Sequence, residues 1–256
     1  MGTHGRLGNQ MFQYATLFSV ANKNNYRFGI PYKNKHPNQY FNLQLNDYFL
    51  NLTAEDSSDI NQVHFYNEPK FTYNESIFHI EDNTDILGYF QSEKYFKNLK
   101  NQIKKEFQFS QQTIEKTNSI LSKFMEPPIS LHIRIGDYRF LGERHPICQF
   151  KYYDQALDKL PKSSPILIFS DEPNVASEYL KNLNRFYSIF VDNKPDEDLC
   201  LMTKCDYHII ANSSFSWWGA WLSDTKQVIA PKKWFGGGSN MPQDWSDIYC
   251  EGWEVI

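Results

Sequence analysis

No apolar run in the chain of 256 residues approaches the ~18 positions that a membrane-crossing helix needs. No basic-then-apolar leader opens it, so a soluble, cytoplasmic protein without a membrane span is expected. Cysteine is scarce as well: Cys148, Cys200, Cys205 and Cys250 are the four present, none in CxxC spacing. Four thiols cannot staple a chain of this size, which excludes a disulfide scaffold. Cys205 and His208 stand close enough in sequence to invite a metal reading, but buried free thiols explain them more simply. Excess positive charge is also missing. A net charge of −4 and a pI near 6.0 give no global attraction to nucleic acid or to an acidic membrane surface, so no nucleic-acid partner is expected and partners must be argued from sites. Three Asn-x-Ser/Thr sequons, at Asn51, Asn74 and Asn212, carry no meaning in a cytoplasmic protein.

What the chain does have is length for one large or two small domains and many aromatics, with 20 Phe, 16 Tyr and 6 Trp. Gly5-Arg6-Leu7-Gly8-Asn9-Gln10 is a glycine-bearing loop that runs into a segment where Met11, Tyr14, Ala15 and Phe18 recur at helical spacing. A loop emptying into a helix N-terminus presents free N–H groups to an anion; the same turn also serves as a plain packing solution. The strand that should precede it is reduced to Met1–His4. Tyr26–Ile30 and Ile86–Phe90 read as strands. Two helices follow, through Phe96, Leu99, Ile103 and Phe107 and then through Ile114, Leu121 and Met125. Pro127-Pro128 stops any helix and marks the domain boundary, dividing the chain at 1–126 and 127–256.

Past the prolines, Ile129, Leu131, Ile133 and Ile135 alternate with Ser130, His132 and Arg134. His132 and Arg134 then point the same way, about 7 Å apart. Gly136 allows a sharp turn, and Asp137 follows just past the strand end. A guanidinium placed there suits the spread charge of a phosphate; a half-exposed strand with a solvated polar face fits the same letters. From this point strands at 129–135, 165–170, 186–191, 206–211 and 226–230 alternate with helices at 150–160, 173–183, 195–204 and 214–223, the rhythm of a parallel, doubly wound, Rossmann-like sheet. Ligands of such sheets sit beyond the carboxyl ends of the strands, where Arg134, Asp137, Ser170, Asp171, Asn212 and Ser213 all fall. In Asn212–Trp221 the hydroxyls and amides suit a diphosphate at a helix N-terminus, while Trp217, Trp218 and Trp221 read as packing. Gly236-Gly237-Gly238 reads as a mobile loop.

Four stretches together resemble the bacterial-type alpha-1,2-fucosyltransferase family (glycosyltransferase family 11): Gly5–Ala15, Gly88-Tyr89-Phe90-Gln91-Ser92-Glu93-Lys94-Tyr95-Phe96, His132–Tyr138 and Asn212–Trp221. They occur in family order and span nearly the whole chain. Two departures stand out. Arg134 is followed by Ile135 where the family usually has a second arginine, and Arg-Leu-Gly-Asn-Gln at 6–10 replaces the commoner second glycine. Both variants look like the related protein O-fucosyltransferases; the Gly88–Phe96 stretch and the Ser-Trp-Trp run favour the sugar-modifying family.

The resemblance implies an α/β fold of GT-B type, two Rossmann-like domains facing across a cleft, with the second holding the nucleotide sugar and the first on the acceptor side. It implies an inverting enzyme that moves L-fucose from GDP-beta-L-fucose to the 2-hydroxyl of a terminal galactose in a glycan acceptor. Arg134 would contact the diphosphate and offset charge as GDP departs. Ser213, Ser214 and Phe215 would hold the nucleotide, Asn9 and Gly8 would approach donor or acceptor, and His132 would orient Arg134 or touch the donor. Asp137 is first a structural residue, with general base as its alternative. Asp196-Glu197-Asp198 spells an Asp-x-Asp pattern, yet acids at consecutive helical positions diverge around the axis, so no divalent metal or other cofactor is expected. These acids also suit the first turn of a helix. Asp198 stands seventeen residues before Phe215, the spacing of the guanine-reading aspartate in the protein O-fucosyltransferases. The alternatives in view are transfer to another acceptor and a catalytically silent GDP- or glycan-binding protein.

Overall fold

The protein is seen in a computed structural model that describes residues 5–32, 43–57, 64–142, 144–180, 185–190, 193–238 and 241–256; the short stretch Met1–His4 lies outside them. It is a mixed α/β chain with a parallel sheet. It divides into two compact units, Met1–Ser110 with Asp244–Cys250, and Gln111–Gln243 with Glu251–Ile256.

The first unit carries α1 (Leu7–Asn24), β1 (Gly29–Ile30), α2 (Leu45–Tyr48), β2 (Glu55–Asp56), β3 (His64–Asn67), β4 (Thr84–Leu87) and α3 (Lys100–Glu106). The helical spacing of Met11, Tyr14 and Ala15 produces a fully buried face on α1. Gln44 completes its start: its Oε1 accepts the Leu7 N–H at 2.8 Å, and its own N–H donates to Gln10 Oε1 at 2.8 Å. Asn25 ends the helix in the left-handed region with φ 56°. Among the described residues the strands here pair only as two parallel ladders, β1 with β2 and β3 with β4. The strand expected at Ile86–Phe90 ends early, at Leu87, because Phe90 takes φ 52°. Beyond it Glu68 replaces a neighbouring strand, accepting the N–H groups of Tyr89 and Phe90 at 2.7 and 3.0 Å. Burial pushes that carboxyl up to about 7. The helix expected through Phe96–Phe107 starts instead as two 3-10 turns, and only Lys100–Glu106 is α-helical. Glu106 is buried and held by hydrogen bonds from Tyr14 Oη at 2.5 Å and Thr53 N–H at 2.8 Å, which is what a buried carboxylate requires.

The second unit carries α4 (Gln111–Leu121), β5 (Ile129–Ile133), α5 (Phe150–Asp158), β6 (Ile166–Ser170), α6 (Pro173–Leu180), β7 (Tyr187–Ile189), α7 (Pro195–Thr203), β8 (Tyr207–Ile209), α8 (Ser214–Leu222), β9 (Gln227–Ala230) and β10 (Glu254–Val255). Its six strands are all parallel, in the order β10-β9-β8-β5-β6-β7. This is the doubly wound order expected from the strand–helix rhythm, with a topological switch between β5 and β8. The division of the chain falls before α4 rather than at Pro127-Pro128. The reason is packing on α7: Thr113 Oγ1 donates to Asp196 Oδ2 at 2.7 Å, and Thr117 Oγ1 lies 3.4 Å from Cys200 Sγ. The two threonines are the buried positions of α4, whereas Met125, expected in its apolar stripe, lies past the helix end and is fully exposed. Trp217 and Trp218 are wholly buried and pack edge-to-face at 5.0 Å.

Candidate active site

The central strand β5 is buried on both faces, Ser130 and His132 included, so the solvated polar face that its letters also fitted is not what forms. A strand flanked by β6 and β8 and covered by helices has no wet side. The ladder ends at Ile133, leaving Arg134 as the first residue beyond it, at the switch point. Its guanidinium is a nearly buried fork between two carboxylates. Nη1 lies 2.8 Å from Asp171 Oδ2, and Nη2 donates to Asp137 Oδ1. The Tyr138 ring stands 5.2 Å away. Asp171 follows β6 and is itself fixed, because its Oδ1 accepts the Ile135 N–H at 3.0 Å.

Gly136 is what lets these groups meet. A Cβ there would sit 2.2 Å from Asp171 Oδ2, so any side chain would push the carboxylate off the guanidinium. The 3-10 turn Gly136–Phe140 then returns Asp137 to Arg134 three residues on. It also sends Tyr138 Oη to the Asn212 carbonyl at 3.0 Å, and burial, the largest influence, lifts that phenol to about 12.

Across the switch point, His132 Nδ1 is 2.9 Å from Ser216 Oγ on α8. Burial first, then Arg134, depress this imidazole to about 3, so it is neutral at physiological pH. Ser213 caps α8, accepting the Phe215 N–H at 3.3 Å, and the Phe215 ring lies 6.1 Å from His132. Asn212 is buried, and its amide is committed to the protein, donating to the Pro146 and Trp234 carbonyls at 2.9 Å each. Ser170 Oγ accepts the Glu172 N–H at 3.1 Å.

Arg134, Asp137, Asp171, His132, Asn212, Ser213, Ser214 and Phe215 thus gather at the carboxyl ends of β5, β6 and β8. Asp198 sits on the first turn of α7, with Oδ1 accepting from Asn193 at 2.9 Å, and burial pushes it up to about 6. Its neighbours point elsewhere, Asp196 to Thr113 and Glu197 to Lys116 at 2.6 Å. Among the described residues no three His, Cys, Asp or Glu side chains converge as ligands. Gly8 and Asn9 belong to the other unit, on the first turn of α1, where Asn9 Oδ1 accepts from Gln91 Nε2 at 2.6 Å.

Sequence reasoning missed the second carboxylate on Arg134, having placed Asp171 only as a donor contact, and it missed Ser216 and His145. The His145 ring stacks on Tyr138 at 5.0 Å and packs on Phe235 at 5.6 Å. An imidazole eleven positions beyond Arg134 carries no periodic signal.

A family model described as Glycosyl transferase family 11 matches residues 1–256. An O-antigen biosynthesis glycosyltransferase, WbnK, from Escherichia coli is 29% identical over 287 residues, covering 92% of this chain and 94% of that protein. An alpha-1,2-colitosyltransferase from Escherichia coli is 30% identical over 270 residues, covering 90% of each. The fold is similar to that of the fucosyltransferase NodZ from Bradyrhizobium, with TM-score 0.56, 14% identity and coverage of 93% and 94% of the two chains.

Proposed function

Since the chain belongs to glycosyl transferase family 11, we propose that it is a galactoside 2-alpha-L-fucosyltransferase that transfers fucose from GDP-beta-L-fucose with inversion. The observation that carries this reading is Arg134 at the switch point, a cation held between Asp137 and Asp171. A guanidinium has five N–H donors, and Nη1 and Nη2 each face one of the two carboxylates. The remainder suit the oxygens of a departing diphosphate, whose charge grows as the glycosidic bond breaks. Because the fork is already fixed, little reorganisation accompanies the reaction.

In this reading Asp137 is an anchor of Arg134. Ser213, Ser214 and Phe215 at the start of α8 serve the nucleotide, with the helix dipole favouring its phosphates. Neutral His132 holds α8 to β5 through Ser216 and so sets the distance between the cation and that helix. Asp198 reads the guanine edge, since a carboxylate accepts two hydrogen bonds from N1–H and the exocyclic amine. No divalent ion takes part.

The donor sugar has a second candidate, because one relative is named for colitose transfer. The test is to incubate the protein with GDP-fucose or GDP-colitose and a panel of beta-galactosides, then to locate the new linkage by NMR. Fucose on galactose O2 is the expected product. Colitose transfer alone would change the donor, fucose elsewhere would change the acceptor, and GDP binding without transfer would make the protein a silent binder.

A further inference from the structure

We propose that His145 is the general base that takes the proton of the attacking acceptor hydroxyl. The inference rests on the fucosyl-transfer reading and names a residue that reading leaves unassigned. An inverting transfer of this kind needs a proton acceptor near the reacting carbon. Five titratable groups around Arg134 among the described residues are otherwise occupied. Asp137 and Asp171 are both bound to the guanidinium. His132 is buried against Ser216 and protonates only near 3. The Tyr138 phenol donates to the Asn212 carbonyl and sits near 12. The Cys148 thiol is directed at Asn212 Oδ1 at 3.5 Å, and burial holds it near 11.

His145 differs from all of these. Its Nδ1 is buried with no hydrogen-bond partner among the described residues. The ring is half-buried and gripped between Tyr138 and Phe235. Its backbone is tied on both sides: the Arg144 carbonyl accepts the Gly236 N–H at 2.8 Å, and the Pro146 carbonyl accepts from Asn212 Nδ2 at 2.9 Å. Gly236, the first residue of the glycine run, thus holds the backbone immediately before His145. Such a ring is preorganised in the sense that catalytic groups need to be. The charged groups acting on it are Asp137, which favours the imidazolium, and Arg134 and Arg144, which oppose it; burial is the largest influence and lowers its pKa. The imidazole is thus bare at neutral pH, while the nearby Asp137 charge eases its protonation during the reaction.

The acceptor oxygen forms a bond to fucose C1 as the bond from C1 to the β-phosphate oxygen breaks, and that electron pair leaves on GDP beside Arg134. The hydroxyl proton passes to the His145 ring, which returns it to water.

The test uses the full chain with GDP-fucose and lactose, comparing wild type with His145→Ala and His145→Gln. Expected for both variants are a fall in kcat of about 10²–10⁴-fold, GDP affinity and thermal unfolding close to wild type, and loss of the acid limb of kcat/KM. That limb, in the wild type, should fall away below an apparent pKa under 6.5. Added imidazole should restore part of the rate to His145→Ala and none to His145→Gln. Wild-type rates with an intact acid limb in either variant would overturn the assignment. So would a loss that imidazole does not rescue and that parallels weakened GDP binding, since that is a positioning role. If the alanine variant does not fold, the glutamine variant decides by the pH limb alone. A wild type that transfers fucose to no acceptor would instead remove the fucosyltransferase reading itself.

Discussion

Asp171 and Gly136 should be energetically coupled through one carboxylate. Asp171→Ala removes two contacts made to charged or polar donors, from Arg134 Nη1 at 2.8 Å and from the Ile135 N–H at 3.0 Å. Hydrogen bonds involving a charged group are each worth about 1.5–3 kcal/mol. The side chains of Arg134 and Asp171 keep 16% and 25% of their exposure, so water recovers part of the loss and the net cost is about 2–3 kcal/mol. For a chain of this size that corresponds to roughly 5–10 °C in the unfolding temperature of the second unit. Gly136→Ala should cost about as much as breaking the ion pair, about 2 kcal/mol, because the new Cβ lies 2.2 Å from Asp171 Oδ2. The three heavy atoms nearest to that Cβ, at 2.2, 3.0 and 3.8 Å, all belong to Asp171. In the Asp171→Ala background the alanine at 136 therefore has room and should cost almost nothing. A double-mutant cycle by urea denaturation, followed on the second unit, should return a coupling of about 2 kcal/mol. Additive costs would mean that the glycine is required for some other reason and that the carboxylate does not hold the guanidinium as drawn.

Arg134→Lys should leave the fold intact and reduce transfer by about 10²–10³-fold, since an ammonium cannot span the same oxygens; steady-state kinetics beside a melting curve checks it. Asp198→Ala should weaken GDP binding at least about tenfold, roughly one charged hydrogen bond, and leave ADP and UDP unchanged in calorimetry. In the wild type the raised carboxyl, near 6, should make GDP affinity fall as pH drops through that value. His208 is fully buried and depressed to about 4. A folded-state pKa below the unfolded one gives stability that is present above pH 6.5 and lost as pH falls toward 4. His208→Leu should therefore flatten the pH dependence of unfolding between those values by up to about 3 kcal/mol, and an unchanged slope in denaturation curves would refute this.

The sheet of the second unit was legible because a strand buried on both faces and a following amphipathic helix each leave a local periodic trace. The cap at Ser213 and the core role of Trp217 were readable for the same reason, as each depends on a few adjacent residues, whereas β5 ends at Ile133, two residues short of the expected end at 135. The first unit was less legible. Its short ladders, 3-10 turns and the left-handed Phe90 are set by long-range partners such as Glu68, which no window of neighbouring letters contains.

At the site, sequence by itself determined that Arg134, Asp137, Asp171 and Ser213 lie at strand ends, because alternation and breakers locate those ends. It equally determined the family, through four motifs in order. Only the tertiary structure decided which of these residues touch. Asp171 meets Arg134 because β6 lies beside β5 in register and Gly136 leaves space. Asn212 turns inward because the Pro146 and Trp234 carbonyls need its amide. His145 comes to Tyr138 because loops distant in sequence hold its backbone from both sides. Local preference sets where an element ends; which side chains then share a charge or a proton depends on contacts between elements, and those exist only once the chain has packed.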